Sequence, residues 1–406
     1  MAWQASSRFD GPALGTGHSP TAGGTPTAGG GLGVRLWWAI YLLLLPLYLG
    51  PSGYPQISHM YLAATAPVVL LICSRHISIP NEIWISGLAF VVYVTCINLY
   101  WFSIYQDSFF VMTVFYFYFN FMSVLVIVSL FGHDPSGLGR VTRLVFLVGL
   151  GVEAAVVLVI GDRGYGRAMG TFNDPNQMGY WALLTVTCVL ALREGRSLGA
   201  PDLLALALAG FVVFMSVSRA AMLGYGVLLV VVVASGRLRP RVVVGTLALA
   251  CAAIVIAHVF DLGVDRRYQE VLAFVEERFA SRGTANDSLG DRGYARLWQF
   301  PEHLLFGAGE GDYNIRFGLE NETHSTIGAI LFGYGIIGFT LFGIVLFMLL
   351  RRAGLFYLAL LVPIMIYGIA QQGVRFSLFW MLLAFIYVQS NTRNRADELT
   401  RFVPPR

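Results

Sequence analysis

Apolar runs long enough to cross a bilayer recur from Arg35 to Ser390, and no motif constrains the fold as tightly as that recurrence. A hydrocarbon core of about 30 Å takes about 20 helical residues to cross. More than half of the 406 residues are hydrophobic and only 12% are charged, which excludes a water-soluble globule. The pattern predicts an all-α integral membrane protein with about 12 transmembrane helices. They fall near 36–53, 59–74, 82–105, 108–131, 143–161, 177–192, 202–217, 220–235, 241–260, 324–350, 354–370 and 374–390.

Residues 1–34 are rich in Gly, Ala, Thr, Pro and Ser and lack a charged stretch leading directly into a short apolar one. They read as a disordered cytoplasmic tail rather than a signal peptide. The rest divides into transmembrane helices one to nine (35–260), a long outer loop (261–323), helices ten to twelve (324–390) and a second cytoplasmic tail (391–406). Cys73, Cys96, Cys188 and Cys251 all fall inside predicted spans without a CxxC pair, so neither a disulfide framework nor a zinc site is indicated.

All 27 basic residues are arginines. An even number of spans puts both termini on one side, with Arg75, Arg140, Arg143, Arg193, Arg196, Arg237, Arg351 and Arg352; the positive-inside rule makes that side cytoplasmic. Four arginines then fall in short outer connections: Arg163, Arg167, Arg219 and Arg375. The run from Pro201 to Ser235 would measure about 52 Å as one helix, too long for a single span. It reads as two spans meeting at Ser218 and Arg219, which puts Arg219 near the outer membrane face, where it either snorkels to headgroups or meets a charged partner.

Within the outer loop, Leu272, Val275 and Phe279 space an amphipathic helix over 266–282. Arg292 and Arg296, four apart, would share one helix face, where two guanidinium forks suit a diphosphate or a salt-bridged surface; Leu297 and Trp298 would anchor that helix at the interface. FGAGEGDY (306–313) reads as a flexible turn without the Lys-Ser/Thr of a nucleotide P-loop, and Glu310 and Asp312 are weak metal candidates, so no metal is expected. His324, beside Glu322 at the start of the tenth span, is either a general base or an interfacial residue. His59, His258 and His303 have no comparable setting. FNDPNQ, with Asn176, is a turn into the sixth span.

RAMGTFNDPNQMG, VSRAAMLG, RLWQFPEHLLFGAGEGDY and HSTIGAILFGYGIIGF, in this order over residues 160–345, resemble the O-antigen ligase and O-antigen polymerase superfamily of bacterial membrane enzymes. The resemblance implies a GT-C-type helical bundle with a mostly helical periplasmic loop over the active site, in the inner membrane. It implies transfer of glycan from a polyprenyl (undecaprenyl) diphosphate carrier to a sugar hydroxyl by an inverting glycosyltransferase that needs no cofactor, metal or nucleotide sugar. By the same resemblance Arg219 binds the carrier diphosphate, Arg292 or Arg296 assists with Arg167 nearby, and His324 takes the acceptor proton, supported by Glu322 and Asn176. Many members show Asn after the histidine where this chain has Ser325.

Cationic donors would stabilise the departing diphosphate while a base activates the attacking hydroxyl. The implied partners are a polyprenyl diphosphate-linked oligosaccharide, a glycan or lipid A core acceptor, membrane lipids and a chain-length regulator, with no nucleic acid. Polymerase of O antigen, capsule or exopolysaccharide repeat units is preferred over ligase because HST replaces HN. A twelve-span secondary transporter is the rival from another class, and a structural component without activity is a third reading. Against the transporter, no convincing internal repeat is found and no acidic residue is expected alone in the middle of a span.

Overall fold

The computed structural model describes residues 28–50, 54–73, 79–160, 167–193, 197–241, 290–312, 316–318 and 323–401, with isolated positions between 244 and 276. Among them are eleven long helices and no strand: α1 Ala28–Leu44, α2 Ile57–Cys73, α3 Asn81–Tyr105, α4 Ser108–His133, α5 Pro135–Ile160, α6 Pro175–Ala191, α7 Ala200–Ser216, α8 Arg219–Ala234, α9 Thr326–Leu350, α10 Leu355–Ala370 and α11 Ser377–Arg401. The predicted ninth span and the 266–282 helix lie outside the described residues apart from isolated positions, as do Arg163, His258 and Glu322.

Four helices are long and apolar enough to cross a membrane: α3, α5, α9 and α4 as far as Gly132. Several others are apolar but shorter, and α1 begins ahead of its predicted span. The helix ends follow local chemistry. The Asp174 side chain accepts from Asn176 N–H and Pro175 occupies the first turn of α6, where a missing N–H costs nothing. Between α7 and α8, Val217 adopts φ 46° and Ser218 is extended, so the chain reverses at the predicted place.

One end of the bundle, the tail end, gathers the start of α1 and the last turns of α11; the other, the loop end, gathers residues 290–312, 316–318 and 323–325. Successive helices alternate in direction from α1 to α8 and again from α9 to α11, while α8 and α9 both run from the loop end to the tail end. At the tail end Arg35 pairs with Asp134 at 2.7 Å, Arg351 with Glu82 at 2.6 Å, and Arg143 and Arg193 both reach the buried Asp202 at 3.0 and 3.1 Å. The helices α6 and α11 are central: Met178 to Ala191 are all buried, as are Leu378 to Val388. An apolar helix buried on every side needs no polar face. By contrast α3, α5 and α8 expose Ile85, Val159 and Val230, as lipid-facing helices do.

Glu153 corrects one expectation, because an acid does stand alone within the α5 span. It is buried, and its oxygens accept from Thr171 N–H at 3.0 Å and Thr171 Oγ1 at 2.8 Å. It therefore secures the connection before α6 with both oxygens occupied. That is a structural use of a buried carboxylate.

Candidate functional site

The last turn of α10 gathers three other segments of the chain. Tyr367 Oη donates to Asn176 O at 3.1 Å, Arg292 Nη1 to Ala370 O at 2.9 Å, and Tyr294 Oη to Ile369 O at 3.1 Å. Ser325 Oγ lies 2.7 Å from Tyr294 Oη and 3.4 Å from Gly368 O. The carbonyls ending α10 have no partner within their own helix, so they are natural acceptors for incoming donors.

Arg167, on the same connection as Asn176, brings in the α7–α8 reversal as well. Its Nε donates to Ser216 O at 3.0 Å and its Nη2 to Asn176 Oδ1 at 2.9 Å, while Ala168 N–H donates to Met215 O at 3.1 Å. The connection carrying Arg167 and Asn176 is thus laced to the α7–α8 reversal whose next residue is Arg219, the half-buried first residue of α8. α8 in turn lies close against α10, where a side chain at Gly224 would meet Leu183 and Pro363 O at 2.9 Å. Of the predicted residues, Arg167, Asn176, Arg219, Arg292, Arg296 and His324 all lie at the loop end. His324 is exposed immediately before Ser325, which is buried and caps α9 by accepting from Gly328 N–H at 3.1 Å. Serine and asparagine both cap helices well, so the departure at this position leaves the local geometry intact.

Three expectations are corrected. Arg292 and Arg296 do not share one helix face: Gly293 takes φ 90°, which ends one turn before the short helix Arg296–Gln299 starts. Arg292 therefore reaches α10, while the buried Arg296 donates from Nη1 to Thr323 Oγ1 at 2.8 Å. Leu297 is no interfacial anchor but packs with Ala308 and Phe332 in a small core of its own, leaving only Trp298 exposed, at 82%.

The stretch FGAGEGDY is not a flexible turn. Residues 304–309 lie along α9 where Gly335, at φ 64° and ψ −171°, breaks the helix. Ala308 N–H donates to Phe332 O at 2.8 Å, Gly309 N–H to Gly333 O at 2.7 Å, and Ile336 N–H to Leu304 O at 2.8 Å. The break frees backbone groups, and the segment satisfies them. A Cβ at Gly307, which has φ 95°, would collide with the α9 backbone at Gly333 and Tyr334, which explains that glycine. Trp101 Nε1 and Tyr93 Oη clamp the other side through Gly307 O at 3.1 Å and Phe306 O at 2.9 Å.

Glu310, weighed as a metal ligand, instead pairs with Arg375. Its Oε2 accepts from Arg375 Nε at 3.0 Å and Nη2 at 2.5 Å. A guanidinium in contact disfavours a divalent cation there. This pair escaped the sequence reading, although Arg375 had already been noted as an unexplained arginine in a short connection. His303 sits edge-on to Trp101 with ring centroids 5.4 Å apart. Burial, with Arg316 nearby, holds it below the usual histidine range, so it is a neutral packing residue.

The fold and the site thus define an all-helical membrane protein with arginines and a histidine drawn together at one end. The family model of O-antigen ligases matches residues 204–343, from within α7 through Arg219, Arg292, Arg296 and His324 into α9. The matched part, about a third of the chain, is thus similar to O-antigen ligases. No curated protein matches the chain.

Proposed function

We propose that the protein is a glycosyltransferase of the bacterial inner membrane. It transfers glycan from a polyprenyl diphosphate carrier to a sugar hydroxyl, with both termini cytoplasmic and the loop end facing the periplasm. The observation that carries this reading is the convergence of three distant segments on the α10 end and the α7–α8 reversal.

Arg219 is the first residue of α8. A helix N-terminus already carries about half a positive charge, so an arginine there opposes the helix dipole and adds to an anion-attracting field. That is an unfavourable choice for stability alone and a favourable one for holding a diphosphate. Arg167 and Arg292 are aimed by carbonyl and amide acceptors, which orient each guanidinium. His324 is the exposed base that takes the proton from the acceptor hydroxyl as the anomeric carbon–oxygen bond to the diphosphate breaks. A single displacement inverts the anomeric centre, and no step calls on a metal.

The preferred activity is polymerisation of repeat units, with lipid A core ligation as its alternative. The test is the purified protein in nanodiscs with a polyprenyl diphosphate oligosaccharide as the only substrate. A ladder of longer glycans that vanishes with His324→Ala supports the polymerase. If the substrate survives, both alone and with lipid A core added, the transfer reading is wrong and a transporter becomes the better account.

A further inference from the structure

We infer that Glu310, Gln372 and Arg375 form a recognition site for a neutral sugar residue, a reading that rests on the glycan transfer proposed above. The starting observation is the Glu310 carboxylate, 1% exposed. Its Oε2 takes bonds from Arg375 and, at 3.4 Å, from Gln372 Nε2. Its Oε1 is equally buried and has no hydrogen-bond partner among the described residues. A buried carboxylate oxygen without a donor is costly, so the position calls for one from outside the chain.

Charge narrows what can supply it. An anion is repelled by the carboxylate and a cation by the guanidinium in contact with it. What remains is a neutral molecule that offers O–H groups. Carboxylate, amide and guanidinium are planar groups that accept and donate on neighbouring atoms, the pattern that adjacent hydroxyls of a pyranose complement. Gln372 and Arg375 are only half-buried, so they are the accessible part of this group.

The site is held rigid before any ligand arrives. Glu310 N–H donates to Asn98 Oδ1 at 3.0 Å, Thr113 Oγ1 donates to Glu310 O at 3.2 Å, and Asn120 Nδ2 donates to Arg375 O at 3.3 Å. It is also tied to the candidate base. The connection that carries Gln372 and Arg375 bonds to Thr326 Oγ1 through Gly373 N–H at 2.7 Å and Gln371 O at 3.2 Å. Thr326 is the first residue of α9, two positions after His324. A sugar held by Glu310 is therefore recognised by the same connection that braces the start of α9.

Saturation-transfer NMR on the full-length protein in nanodiscs tests this directly, with glucose, galactose, mannose and N-acetylglucosamine as probes. The expected result is saturation of at least one sugar, reduced about fivefold or more by Glu310→Gln and by Gln372→Ala. Gln372 is half-buried, so its variant keeps the test alive if Glu310→Gln fails to fold. No saturation of any sugar, or saturation unchanged in both variants, overturns the site. Sugar binding that the variants abolish, in a protein that makes no product from the lipid-linked substrate, keeps the site and overturns the transfer reading. Product formation with no effect of either variant on sugar binding does the reverse.

Discussion

The two ends of the bundle use the same side chain for different work. At the tail end, Arg35, Arg143, Arg193 and Arg351 each meet a carboxylate at 2.6 to 3.1 Å. At the loop end, Arg167, Arg292 and Arg296 donate to Ser216 O, Asn176 Oδ1, Ala370 O and Thr323 Oγ1, while Arg375 takes Glu310. An arginine paired with an acid is close to neutral as a unit and serves packing. Carbonyl and hydroxyl acceptors fix the direction of a guanidinium, as a site for an anionic group requires.

The largest effects should therefore fall at the loop end. His324→Ala should lower turnover of a lipid-linked oligosaccharide by about 10²–10⁴-fold, the range of a lost general base, with the melting temperature unchanged because the side chain is exposed. Arg219→Ala should lose about 10²–10³-fold, and Arg219→Lys should recover only part, since a point charge replaces a fork. Either variant turning over at the wild-type rate would break the comparison.

At the tail end the loss should be in stability. Asp202 is fully buried and serves two arginines, so Asp202→Ala should destabilise by about 3 kcal/mol, read by thermal unfolding in detergent, with KM unaltered in the folded fraction. A smaller change belongs to pH. His303 is neutral in the fold because its affinity for protons is depressed there, so its contribution is complete above the ordinary histidine range and declines as pH falls below about 6.5. Protease cleavage of the 298–318 segment should increase on acidification, and His303→Gln should remove that increase. Arg351→Ala breaks a pair that is about one-third exposed on each side, so its cost should stay within about 0–1 kcal/mol, with activity intact.

Where the chemistry was local, the sequence alone predicted it. The reversal at Ser218 and Arg219 followed from a run too long for one crossing, and the start of α6 followed from Asp174 and Pro175. The helices themselves follow from apolar length, although α1 starts earlier than hydropathy suggested, through residues such as Gly31 and Gly33 that add little to an apolar score. Long-range effects were not legible. Four-residue spacing put Arg292 and Arg296 together, but one glycine at φ 90° sent them to different partners. Alternating glycines suggested freedom, yet those residues are packed against a broken helix.

Periodicity, caps and bilayer-length runs are properties of neighbours along the chain, so sequence by itself determined an all-helical membrane protein and the residues available for chemistry. Which arginines meet acids and which meet carbonyls was decided only by the tertiary structure. Glu310 and Arg375 are 65 residues apart, and nothing in either local stretch marks the other. Their pairing depends on where the break in α9 lets the glycine segment dock and on where the α10–α11 connection passes above it. Those positions are set by packing across the whole bundle.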